Sequence, residues 1–167
     1  MEALNTTDFV MDSENEQLAQ FLTFYLDTEL YAAPILDVQE IRSWEPVTRV
    51  PNTPDYLNGI VNIRGAIVPV VDLRLRLGVP TKEATSETVV IVMSMDLEGG
   101  LKQIGLVVDS VSDVISVSES EIQSTPDFGD MPNKEFICGM ANVQDKAVMF
   151  LDNHRLLTIE DVEIASV

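Results

Sequence analysis

The chain has 167 residues, 46% of them apolar and 23% charged, which is the composition of a globular protein with a sizeable core rather than of a disordered chain. Its 10 Lys and Arg stand against 28 Asp and Glu, a formal charge of −18, and no basic patch is available to neutralise phosphates, so nucleic acid and anionic membrane surfaces are disfavoured partners. With one cysteine and one histidine, an internal disulfide is excluded and a zinc site lacks ligands, so no metal or other cofactor is expected.

Residues 1–17 are acidic and without a regular period, which predicts a flexible tail. They have neither a basic start nor an apolar centre, so they do not read as a secretory signal, and the expected location is the cytoplasm. The longest apolar runs, Ala66 to Val71 and Val89 to Met93, are far too short to cross a bilayer. QFLTFYL and LYAAPI flank the polar Asp27-Thr28-Glu29 and predict a hairpin. Behind Pro34, the spacing of Ile35, Val38 and Ile41 predicts one or two helical turns with Glu40 on a different face. VTRVP then reads as a short strand and PNTPDYLN as a loop.

GIVNIRGAIVPVVDL places two β-branched runs around Arg64-Gly65, a hairpin whose tip is Arg64 and whose glycine supplies a positive φ. Asp72 is placed to cap a short helix that ends at Gly78 and is stopped by Pro80, although the alternation of Leu73, Leu75 and Leu77 leaves a strand as the rival. ETVVIVMSMD and LKQIGLVVDSV predict another hairpin through Leu97 to Gly100. SVSDVISVSES reads as an edge strand, and FICGMANV with KAVMFLD as a final strand pair. Cys138, between Ile137 and Gly139, reads as a small buried hydrophobe.

A repeat runs through the chain, ungapped over its best-matched stretch and shifted by a small length change upstream. Gly59, Asn62, Val68 and Asp72 fall on Gly139, Asn142, Val148 and Asp152, each 80 residues later, and Leu77 falls on Leu157. Upstream, Val38-Gln39-Glu40-Ile41 matches Val111-Ser112-Asp113-Val114, and Thr53-Pro54 matches Thr125-Pro126. Two halves of about five short strands each have the dimensions of small SH3-like β-barrels. The expected fold is mainly β: two tandem SH3-like β-barrels packed together, with short helical turns.

The residues offer little catalytic chemistry. Asp72 and Asp152 both precede helical turns, where a capping role accounts for their repetition. His154 stands inside such a turn in DNHRLL, and no Gly-rich phosphate loop occurs. A binding module is the leading reading. Its rivals are a small acidic enzyme or ligand-binding protein that uses the crevice between barrels, with Asp72, Asp152 or His154 near it, and a scaffold that only self-assembles.

The strings VQEIR, NTP and NGIVNIRGAIVPVVDLR, followed by ETVVIVM and GLVVDSVSDVI, resemble the CheW family of chemotaxis coupling proteins from about Gln20 to Leu157. The resemblance implies a non-enzymatic adaptor, with one such domain over 18–157, halves at about 18–84 and 85–157, and a C-terminal tail at 158–167. It also implies the partners: the cytoplasmic tips of methyl-accepting chemoreceptors and the regulatory domain of the histidine kinase CheA, reached in the cytoplasm at receptor arrays without membrane insertion. Glu40, Arg64, Val89, Val90, Val111 and Val114 match receptor-binding positions, and Val38 and Gly59 match positions linked to the kinase. A paralogue of another chemosensory pathway, such as twitching motility, would carry the same motifs. The C-terminal TIEDVEIASV departs from relatives that end in a longer helix.

Overall fold

The computed structural model describes residues 17–97, 100–124 and 134–156. The expectations placed on residues 1–16, on the tip at Glu98 and Gly99, on Thr125-Pro126, and on Leu157 with the tail beyond it fall outside the described residues. Among the described residues, ten strands and two short α-helices follow in chain order. They are β1 (Leu18–Leu26), β2 (Glu29–Pro34), β3 (Val38–Ser43), β4 (Leu57–Ile63), β5 (Ala66–Asp72), α1 (Leu73–Leu77), β6 (Val89–Leu97), β7 (Gly100–Val108), β8 (Ser110–Ser118), β9 (Ile137–Val143), β10 (Lys146–Leu151) and α2 (Asn153–Leu156). Among the described residues no helix is long and apolar enough to cross a membrane.

The strands form two five-stranded sheets, ordered β8-β1-β2-β10-β9 and β3-β6-β7-β5-β4. The sequence repeat is realised strand for strand, but the boundary near residue 84 divides the repeat and not the sheets. Each sheet combines the first hairpin of one half with three strands of the other, joined by a short parallel pairing: β10 with β2 in the first sheet and β5 with β7 in the second. In those pairings the bulky residue faces a small one, Phe150 against Ala32 and Val70 against Gly105. A Cβ on Gly105 would lie 2.7 Å from Val90 Cγ1, so the close approach requires glycine.

Each sheet is drawn towards a barrel by one bridge. The segment leaving β3 pairs through Thr48 with Ile60 of the opposite edge strand, and the segment leaving β8 pairs through Gln123 with Met140. Thr48 N–H donates to Ile60 O at 3.1 Å, and Ile60 N–H donates to Thr48 O at 2.8 Å. The expected VTRVP strand is therefore a single bridge.

Both faces of each sheet are apolar, which explains why runs such as Val89 to Met93 do not alternate with polar residues. Val90 and Val92 turn inward with Ile63, Val68, Val70 and Val107 of their own sheet, while Ile91 and Met93 turn to the seam. There they meet Leu22, Phe24, Tyr31, Met149 and Leu151 of the other sheet.

Two further expectations are corrected. Residues 35–41 do not form a helix: a 3-10 turn at Ile35–Asp37 leads directly into β3, which pairs with β6. Half-buried Val38, Glu40 and Arg42 alternate there with exposed Gln39, Ile41 and Ser43, so a period of two prevails over the apparent period of three. Cys138 is exposed rather than buried, because the pleat of β9 turns Ile137 and Gly139 inward and the residue between them out. Between the rival readings of residues 73–77, helix prevails. Asp72 accepts a hydrogen bond from Arg74 N–H at 3.1 Å, and Gly78 closes the turn in the left-handed region at φ 72°.

Candidate functional site

Arg64 sits at the β4–β5 tip with φ 51°, followed by Gly65 at φ 86°. Two successive positive φ values make the tight turn that suits the twist of a two-residue hairpin. Asn62 Oδ1 accepts from Gly65 N–H at 2.9 Å and fixes the turn. The second half repeats the geometry at Gln144 and Asp145, with φ 51° and 66°.

The tip is held over β3. Arg64 Nη1 donates to Glu40 Oε1 at 2.7 Å, and Arg42 Nη1 reaches Glu40 Oε2 at 3.4 Å. β3 and β4 are the two outer strands of the second sheet, so the ion pair spans the gap that the Thr48 bridge closes through the backbone. The hydrogen bond and charge of Arg64, with Arg42 beside it, hold the Glu40 carboxyl below its usual range despite some desolvation.

The valines singled out by the sequence separate into three groups. Val38, Val89 and Val111 are partly buried and pack on the edge of the seam core. Val114 is exposed on β8, an outer strand of the first sheet, as is its repeat counterpart Ile41 on β3, which the sequence reading passed over. The internal match of Val114 with Ile41 was the signal that could have found it. Val90 is 6% exposed and points into the interior of the second sheet, so it supports the site from within and offers no contact surface.

Gly59 is buried where a Cβ would lie 2.4 Å from Thr48 O. It is required by the bridge that draws the second sheet together, and Gly139 plays the same part beside Ile122 and Gln123.

The crevice aspartates are engaged in structural bonds. Asp72 caps α1 and also takes the Arg74 side chain, whose Nη2 lies 2.9 Å from Asp72 Oδ2. Arg74 Nη1 meets Asp109 Oδ1 at 2.9 Å, and Asp109 Oδ2 accepts from Asp27 N–H at 2.6 Å. This buried cluster ties α1 to the β7–β8 junction and to the β1–β2 turn, and the sequence reading did not anticipate it. Asp152 accepts from Arg155 N–H at 3.2 Å. The side chain of His154 lies outside the described residues. Among the described residues no group of His, Cys, Asp and Glu is arranged to hold a metal ion.

Fold and site together define a duplicated, mainly β protein of SH3-like architecture whose distinguishing groups are a tip ion pair and an apolar seam. The CheW-like domain family matches residues 20–161. The chemotaxis protein CheW of Klebsiella aerogenes is 37% identical over 145 residues, 87% of this chain and 85% of that one. CheW of Bacillus subtilis is 32% identical over 156 residues, 93% of this chain and 97% of the other. The crystal structure of the scaffolding protein TtCheW from Thermoanaerobacter tengcongensis matches with a TM-score of 0.76 at 30% identity, covering 87% of this chain and 91% of that one. The chain belongs to the CheW family of chemotaxis coupling proteins.

Proposed function

We propose that this chain is a non-enzymatic cytoplasmic adaptor that couples the signalling tips of methyl-accepting chemoreceptors to the regulatory domain of the histidine kinase CheA. The observation that carries the reading is the Arg64–Glu40 pair. It holds a cation of 75% side-chain exposure at a fixed tip, on the sheet whose β3 and β6 bring Val38 and Val89 to the seam. A receptor helix laid against an apolar rim needs aliphatic contacts flanked by a few oriented polar groups, which Val38, Val89, Val111 and Val114 with Arg64 and Glu40 supply. Val90 contributes by shaping the sheet behind that rim. Gly59 acts on kinase binding through the Thr48 bridge, and Val38 through its place at the junction of the sheets.

Reconstitution with CheA and a receptor tip fragment tests this, with phosphoryl flux as the readout. The wild-type chain makes kinase output depend on the receptor. Arg64→Glu and Glu40→Arg each reduce receptor binding, and the double exchange restores part of it. Single variants that bind receptor and stimulate the kinase like wild type refute the site. A wild-type chain that binds neither partner refutes the function.

A further inference from the structure

Arg42 lies two residues after Glu40 on β3, so the two side chains leave the strand on the same face. Arg64 takes one carboxylate oxygen at 2.7 Å and Arg42 the other at 3.4 Å. One carboxylate, with lone pairs enough for both, is thus shared by two guanidiniums. The cluster carries net positive charge on a chain whose formal charge is −18. The two cations are not equivalent, because Arg64 has 75% of its side chain exposed and Arg42 has 37%. Arg42 lines a crevice with Val47, Val61 and Val70, where Glu45 is the other charged lining residue.

Without Arg42, the tip pair would be neutral and Glu40 would be held from one side only. With it, Glu40 is fixed on its own strand, and Arg64 commits Nη1 to Glu40 while its planar fork keeps further N–H donors. We propose that Arg42 is a positioning residue that anchors Glu40, so that Arg64 stays pinned and the site presents net positive charge to a carboxylate on the docking partner. The carboxylate partner rests on the coupling role proposed above, whereas the anchoring of Glu40 belongs to the isolated chain.

Two measurements test it. In the isolated chain, acid titration of the Glu40 side-chain carboxyl by NMR should show a midpoint below the ordinary carboxylate range. Arg42→Gln should raise that midpoint, and Arg42→Lys should return part of the shift. With a receptor tip fragment, Arg42→Gln should weaken binding about fivefold and flatten its dependence on salt, with the melting temperature unchanged. A Glu40 titration unmoved by Arg42→Gln overturns the proposal, and so does unchanged affinity and salt dependence. A wild-type chain that binds no receptor fragment refutes the coupling role instead, and the titration still decides whether Arg42 anchors Glu40.

Discussion

Arg74 offers the sharpest test of how the two sheets are held together. It is 7% exposed, and its guanidinium is shared between Asp72 and Asp109, themselves 8% and 3% exposed. The neighbouring carboxylates raise its pKa against the opposing effect of burial, with the Asp72 hydrogen bond first among the causes. Arg74→Ala would leave two carboxylates in the interior with no cation. Removing one partner from a buried ion pair costs about 3–5 kcal/mol. For a protein of this size, 1 kcal/mol moves the melting temperature by about 2–4 °C, so the variant should melt about 10 °C lower. Urea unfolding gives the free energy, and calorimetry gives the midpoint. An exposed pair in the second half is the control. Arg155 is 70% exposed at 3.7 Å from Asp152, and Arg155→Ala should cost about 0.5 kcal/mol. The triple change Arg74→Met, Asp72→Asn, Asp109→Asn removes all three charges, keeps a good helix cap, and should recover most of the loss. A loss below about 1 kcal/mol for Arg74→Ala would refute the idea that this cluster clamps the seam.

Three further outcomes follow from the packing. Gly59→Ala should cost about 2 kcal/mol or more in urea unfolding, because the new Cβ meets backbone, Thr48 O at 2.4 Å. Gly139→Ala should cost less, since its closest obstacle is the Ile122 side chain at 2.5 Å and the carbonyl stands at 3.0 Å. Tyr31 is pushed up to about 12 by burial first and then by Glu29 and Asp27. Its folded pKa lies above the unfolded value, so its contribution is fully present below about pH 10 and is lost as pH rises towards 12. The stability difference between wild type and Tyr31→Phe should therefore change in that window and stay constant below it. Asn153 is buried where the first half carries Leu73, and its Nδ2 donates to Asp37 Oδ2 at 3.1 Å. Asn153→Leu removes that bond and leaves a part-buried carboxylate without its donor, so it should cost about 1 kcal/mol, read by thermal unfolding.

Much of this architecture was legible because local chemistry and tertiary need agree along most of the chain. The Arg64-Gly65 turn, the Asp72 cap, the Gly78 stop and the strand pairs on either side of them were written in residue types that serve few other purposes. The ungapped repeat carried the duplication, down to matching hydrogen bonds: Asp72 N–H donates to Tyr56 O, and Asp152 N–H donates to Phe136 O. What failed was what neighbours decide. Ile35, Val38 and Ile41 share a helical spacing, yet β6 offers a free edge that captures Val38 to Ser43 as a strand. The exchange of hairpins between halves left no local mark, because every strand keeps the same partner types whether its sheet is built from one half or two. The Arg74 cluster was not legible, since nothing in the sequence places Asp109 beside it.

The exchange bears on how firmly the two halves are joined. In a tandem arrangement the halves would share only the faces they happen to press together. Here each sheet contains strands of both halves, so separating the halves requires unpairing β2 from β10 and β5 from β7. Two aromatic rings of the seam core, one buried and one half-buried, make the same point. Tyr56 and Phe136 occupy equivalent places in the repeat and close on one cation, with the Arg76 guanidinium 4.5 Å and 4.7 Å from the two ring centres. A single side chain from the first half is thus held by both. The halves are thereby joined by strand pairing within each sheet and by this shared cation, rather than by surface contact alone. Val38 and Val111, equivalent positions of the two halves, both pack on the seam core, so the pairings that join the halves also hold these two valines on one body.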